Sequence, residues 1–305
     1  MPRSPAASLL LGAVLISFAP VFVRMCNQPP AAIALVRTAL GAAVLLGLFG
    51  RESLRAWKEG SFRRGLPLLG LAGLSFACDL VLWHTSIQKI GAGMATVLAN
   101  TQIFHVLILS HFVFGERLPP AFWGWCTVAF VGVGALSVGT LHASYLASVP
   151  PGEVTWGLGC GLATGFCYSL FLLSLKTVQR RHGLSAAVTH TGGSIACAGS
   201  VLVIDLCGTR DVAGLASATP IDWGSMVALA LVVHVVGWLV ITRAIRSVPS
   251  GVSSLLLLTQ PALATLWGAL LFGERFAPLQ LVGTVALFIA VVAAQRSNRP
   301  DEAIG

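Results

Sequence analysis

The stretch Thr259–Gln280, "TQPALATLWGALLFGERFAPLQ", repeats an earlier one, Thr101–Phe122, "TQIFHVLILSHFVFGERLPPAF". Each has a threonine-glutamine pair, an apolar run, "FGER" and then a proline. A shift of 158 residues aligns them without a gap. Under that shift Ile87 falls on Ile245, Gly93 on Gly251, Leu98 on Leu256 and Pro120 on Pro278. The chain therefore reads as one unit written twice.

What surrounds the repeat sets its environment. Of 305 residues 56% are hydrophobic and 10% are charged, with a mean hydropathy of +0.85. A soluble domain carries about a quarter charged residues, so this chain lacks the polar surface that water requires. It reads as an integral membrane protein. Apolar runs long enough to cross a bilayer lie near 6–24, 30–50, 66–88, 91–114, 120–141, 153–175, 184–206, 222–242, 249–272 and 278–295. The first has Arg3 ahead of it but no small-residue cleavage pattern after it, so it reads as a span rather than a leader.

The basic residues fix an orientation, because loops on the cytoplasmic side collect Lys and Arg. With the N-terminus inside, fourteen fall on the inner side and four (Arg24, Lys89, Arg210, Arg275) on the outer, leaving Arg37 within a span. Ten spans with both termini cytoplasmic, in a plasma or inner membrane, satisfy this distribution. The net charge of +8 is spread through short loops and forms no basic patch interleaved with aromatics, so no nucleic-acid partner is expected. Seven cysteines sit mostly in apolar runs with no CxxC pair, which predicts neither a metal site nor a disulfide framework.

The expected fold is all-α integral membrane, with ten transmembrane helices in two inverted five-helix repeats, residues 1–148 and 149–305. Five is odd, so the second unit enters the bilayer from the opposite face. Paired inverted units are a transporter arrangement, since the halves can exchange conformations and open a shared site to either side. "FGER" reads as a structural turn in both copies, Gly115-Glu116-Arg117 and Gly273-Glu274-Arg275. Glycine accepts the left-handed turn that ends a helix, and the following proline suits the next first turn.

Polar side chains at membrane depth are costly and usually face a cavity or one another. At about 1.5 Å of rise per residue, Gln102 and Gln260 both lie near the midplane. Their amides suit a zwitterionic solute, or else clamp one helix to another. Pro261 frees a carbonyl near Leu257 and predicts a kink; Pro20 does the same in the first span. Asp79 and Arg37 come to similar depth, as a static ion pair or with Asp79 taking a substrate ammonium or a proton. His84, a turn further along, shares that vestibule as a possible proton or ion-pair group. His234 and Trp238 lie one turn apart near the midplane, where histidine can carry a proton or orient a carboxylate. His105 is expected near Gln102, with His111 and His190 nearer the inner face. Gly157, Gly161 and Gly165 form a small-residue stripe that reads as packing, with Tyr168 next along that side. The substrate-binding candidates are Gln102, Gln260, His234, Asp79, Tyr168 and Trp238.

These features resemble the EamA type of the drug/metabolite transporter superfamily. The resemblance rests on "FGERLPP" (114–120) and "LLFGERFAPLQLVG" (270–283), which close the fourth helix of each half. "GLGCGLATGFCYSLFLLSLKTVQR" (157–180) is similar to that family's opening helix of the second half, and "ALVRTALGA" (34–42), with Arg37, to its second helix. One departure is the first helix, "AVLISFAPVF", which lacks the Trp-Gly pair such proteins often carry. The resemblance implies a central cavity and the movement of small metabolites, often amino acids, out of the cell.

No P-loop, GxSxG, HExxH or paired carboxylates on one helix face occurs, so no enzyme and no cofactor are expected. The expected activity is alternating-access export of a small polar or zwitterionic metabolite, with amino acids foremost. The alternatives are a non-transporting scaffold subunit, an exporter of drugs or quaternary amines, or a membrane enzyme acting on lipids. The expected partners are the small-molecule substrate and the lipid bilayer, with a homodimer left open.

Overall fold

In the computed structural model, residues 4–90, 95, 98–116, 119–138, 150–272 and 278–297 are described. They form a succession of helices. The first span is two pieces, α1 (Pro5–Ile16) and α2 (Ala19–Arg24). Pro20 cannot donate to the carbonyl of Ile16, and the ladder breaks just there. Then come α3 (Pro30–Lys58), α4 (Ser61–Ile90), α5 (Gln102–Phe114), α6 (Pro120–Val138), α7 (Pro151–His182) and α8 (Ala186–Ile204). The second half continues with α9 (Pro220–Ala228), a π-helical stretch (Leu229–Gly237) and α10 (Trp238–Ile245), one continuous rod. It closes with α11 (Ser250–Leu257), α12 (Thr259–Phe272) and α13 (Pro278–Ser297). The turn at Leu258 separates α11 from α12, where Pro261 leaves the Leu257 carbonyl without its helical donor.

Among the described residues, six helical segments are long and apolar enough to cross a membrane: Pro5–Arg24, Pro30–Lys58, Ser61–Trp83, Pro151–His182, Ala186–Gly208 and Pro220–Ile245. Shorter apolar helices cover Gln102–Phe114, Pro120–Ala135 and Leu281–Ala294. The helix α3 runs past the apolar run that predicted it. Its last two turns carry charge and stay helical, and Arg55 Nε bonds Glu59 Oε1 at 2.8 Å just past them. Gly60, at a φ of 79°, makes the reversal into α4.

The helix pairs in closest register are α4 with α7, α6 with α13, and α8 with both α3 and α4. Small residues set these distances. A Cβ on Gly157 would meet Ile90 Cγ2 at 2.8 Å, and one on Gly161 would meet Leu98 Cβ at 2.8 Å. One on Gly165 would meet Thr101 Oγ1 at 2.6 Å. The glycine stripe is thus the seam on which α7 lies against α4 and the start of α5. Ser86 Oγ donates across that seam to the Gly157 carbonyl at 2.9 Å. Outward, Leu48, Phe112, Val131, Leu206 and Leu270 are exposed, Phe112 by 80%. Such a surface is satisfied by lipid, not water.

Gly115 ends α5 in the left-handed region at a φ of 65°, with its N–H on the His111 carbonyl at 2.9 Å. That is the turn expected of the first "FGER". Arg117, and the second copy Gly273, Glu274 and Arg275, lie outside the described residues.

Candidate functional site

Helical spacing gathers one cluster inside the bundle. On α4, Phe76 and Asp79 are three residues apart and share a face, as do Tyr168 and Phe171 on α7. His234 and Trp238 are four apart on the rod that includes α10. The rings meet: Phe76 stacks on Phe171 with centroids 4.4 Å apart. Trp238 stands edge-on to Phe76 at 5.5 Å and to Phe171 at 4.8 Å. Tyr168 completes the group, 6.0 Å from Trp238. Over Phe76 sits the Arg37 guanidinium of α3, 5.5 Å from the ring centroid, a cation on the negative face of a π-system.

Arg37 and Asp79 are each 8% exposed. They form no direct ion pair, though each lies in the other's field. Arg37 Nε is buried with no acceptor. Tyr168 Oη is likewise buried without a partner, and the Gln260 amide of α12 lies toward it without a hydrogen bond of good geometry closing. A cation and a phenol with hydrogen-bonding capacity unspent are thus brought together beside a buried carboxylate. Buried polar groups are normally satisfied, and each exception calls for a reason.

His234 anchors the far wall. Ser194 Oγ donates to the His190 carbonyl at 2.7 Å and contacts His234 Nε2 at 2.9 Å. Ser194 thus links His190 to His234, and His234 Nδ1 is buried without a partner. His190 Nε2 donates to the His234 carbonyl at 2.7 Å, and the two rings are 5.1 Å apart. His190 thus belongs to this cluster. The other side of His234 is held by Gly41, where a Cβ would come within 2.4 Å of His234 Cδ2.

Gln102 stands apart from this cluster. Its Oε1 accepts from Ser254 Oγ at 3.0 Å, and its carbonyl accepts from Ser169 Oγ at 3.1 Å. It ties α5 to α11 and α7, the clamp that was the alternative to solute contact. His105 packs edge-on to Phe166 at 5.9 Å. For His84 the helical backbone is described, while its side chain lies outside the described residues. The sequence reading missed Phe76, Phe171 and Ser194. The first two were legible as i, i+3 neighbours of Asp79 and Tyr168.

A bundle with an unsatisfied polar centre and a lipid-facing surface matches known proteins along its length. The model of the EamA-like transporter family matches residues 4–140 and again 155–294. The chain belongs to the EamA-like transporter family. It is similar to the threonine/homoserine exporter RhtA of Escherichia coli (strain K12), 26% identical over 271 residues, 88% of this chain and 83% of that one. It is also similar to the pseudopaline exporter CntI of Pseudomonas aeruginosa (strain UCBPP-PA14), 24% identical over 271 residues, with coverage of 89% and 88%. An uncharacterized transporter of Archaeoglobus fulgidus is 24% identical over 296 residues, with coverage of 96% and 97%. A solved crystal structure matches the fold with a TM-score of 0.76 at 15% identity, over 96% of this chain and 99% of the other. This EamA-family chain is therefore a multi-pass membrane protein of a transporter family, not of an enzyme family.

Proposed function

We propose that the chain is a secondary exporter of a small zwitterionic metabolite, an amino acid foremost, working by alternating access. In this reading residues 1–148 and 149–305 are inverted halves of five spans each, with both termini cytoplasmic. The halves enclose one site near the midplane.

The observation that carries the reading is the pair Arg37 and Asp79. A charged side chain at the centre of a span costs about 2.5–3.5 kcal/mol on insertion scales, and here two are buried within each other's field with no direct ion pair between them. A zwitterion supplies a carboxylate for the guanidinium, whose Nε has no acceptor, and an ammonium for the buried Asp79. Tyr168 and Gln260 offer hydrogen bonds to its polar flank. Phe76, Phe171 and Trp238 form a dry wall for its side chain. His234 Nδ1, buried without a partner, lies at the edge of the same group. The similarity to RhtA and CntI, both exporters by name, supports the direction.

The aromatic wall beside a carboxylate also suits an organic cation, which is the second reading. Counterflow in proteoliposomes separates them. Vesicles preloaded with one unlabelled solute are given the same solute labelled, across amino acids and quaternary amines. The export reading expects accumulation of labelled amino acids. Accumulation of quaternary amines alone would replace it with the second reading, and no accumulation of any solute would oppose both.

A further inference from the structure

Two turns along α7 from Tyr168, on the stripe that carries Ser169 and Leu172, the buried side chain of Lys176 meets the first "FGER" turn. Its ammonium spends all three donors: on Glu116 Oε1 at 2.7 Å, on the Val248 carbonyl at 2.8 Å and on Ser250 Oγ at 2.8 Å. Glu116 is equally engaged. Its Oε2 accepts from the Ser250 N–H at 2.7 Å, and its Oε1 from Ser250 Oγ at 3.2 Å. The Lys176 and Glu116 side chains are 2% and 13% exposed. One fully satisfied knot thus joins the turn after α5, the body of α7 and the connection that starts α11. Phe114 lies under the ammonium at 5.1 Å. A small hollow lined by Leu172, Leu173, Ile245 and Ser253 reaches Lys176 and Ser250.

This knot contrasts with the centre of the bundle, where the Arg37 guanidinium keeps Nε without an acceptor. By sequence the other half does not repeat its lysine and serine. The shift of 158 residues that places Glu116 on Glu274 places Lys176 on Phe18 and Ser250 on Ala92. Phe18 instead stacks on Trp267 at 4.4 Å, and Trp267 Nε1 donates to Ser17 Oγ at 2.8 Å.

We propose that Lys176, Glu116 and Ser250 form a polar latch that shuts one end of the transport pathway and must break before solute can enter from that end. The proposal rests on the alternating-access reading above. With the orientation given there, the latch is the cytoplasmic gate, and the opposite end closes on the aromatic contact of Phe18 and Trp267. A buried ion pair is a poor source of net stability but a good two-state element, because it is whole or broken and water competes for it once the helices part.

The test labels the hollow behind the latch. Ser253→Cys is nearly isosteric and lines that hollow. A membrane-impermeant maleimide is applied to inverted and to right-side-out vesicles, and mass spectrometry assigns the adduct to residue 253 apart from the native cysteines. Adding Glu116→Gln, or separately Ser250→Ala, is expected to raise the labelling rate about tenfold or more from the Lys176 side, as for a closed state losing its bias. Monodisperse elution of each variant establishes that it is folded, and Ser250→Ala, the milder change, carries the test if Glu116→Gln does not fold. Labelling within twofold of the Ser253→Cys parent in the folded variants would overturn the latch. The transport reading fails differently, by absence of solute counterflow through the unsubstituted protein, and the labelling needs no solute.

Discussion

At the scale of single residues, position matters more than chemical type. Lys176 and Arg37 are both buried cations, yet Lys176 has three acceptors while Arg37 keeps a donor unspent. The first is therefore assigned to closure and the second to a solute. His234 takes its place from its neighbours, with Ser194 Oγ on its Nε2 and Gly41 leaving the room in which the ring lies. Gly41→Ala is accordingly expected to push the imidazole aside. Thermal unfolding in detergent should show a loss of about 1–3 kcal/mol, the usual cost of overpacking, and solute uptake should fall together with that of His234→Ala. Uptake and stability both unchanged in Gly41→Ala would mean the ring has another place to go. None of this geometry was legible beforehand. The sequence marks His234, Asp79 and Arg37 as costly at their depth, but depth along a helix does not say which neighbours share a face of the bundle.

Helices explain why part of the fold was readable and part was not. Some ends were legible, because ends are chemical. Gly115 closes α5 in the left-handed region, and the breaks in the first span and before α12 sit where Pro20 and Pro261 remove a donor. Faces were not legible, because an element apolar all round carries no stripe to say which side is buried. The glycine stripe of α7 is the exception, since small residues mark close approach whatever the solvent. It gives a sharp contrast within one helix. Gly161 faces Leu98 at 2.8 Å for an added Cβ, while Gly159 meets nothing within 4 Å. Gly161→Leu should therefore lower the unfolding temperature markedly, at a cost of about 1–3 kcal/mol or more, and Gly159→Leu should leave it near the parent. Equal effects in melting curves would show that α7 does not seat on α4 through this stripe. Glu116 teaches the opposite lesson: its motif was read as a turn, and its carboxylate in fact ties three segments together, a role no local pattern announces.

For the whole molecule, the membrane environment was written in composition, and the family model matches residues 4–140 and 155–294. The proposed inversion makes a topological demand. Single cysteines at Gly115 and Gly273 should react with an impermeant thiol reagent from opposite sides of the membrane, and reaction from one side would remove the inverted pairing. The central claim is chemical, that Arg37 and Asp79 together receive the solute. Counterflow of the solute found by screening, measured in proteoliposomes of folded Arg37→Gln and Asp79→Asn proteins, tests it most directly. The account expects each substitution to lower counterflow by at least about 100-fold, the scale of losing a charge-assisted contact to the transported molecule. Counterflow at the parental rate in either variant would contradict it.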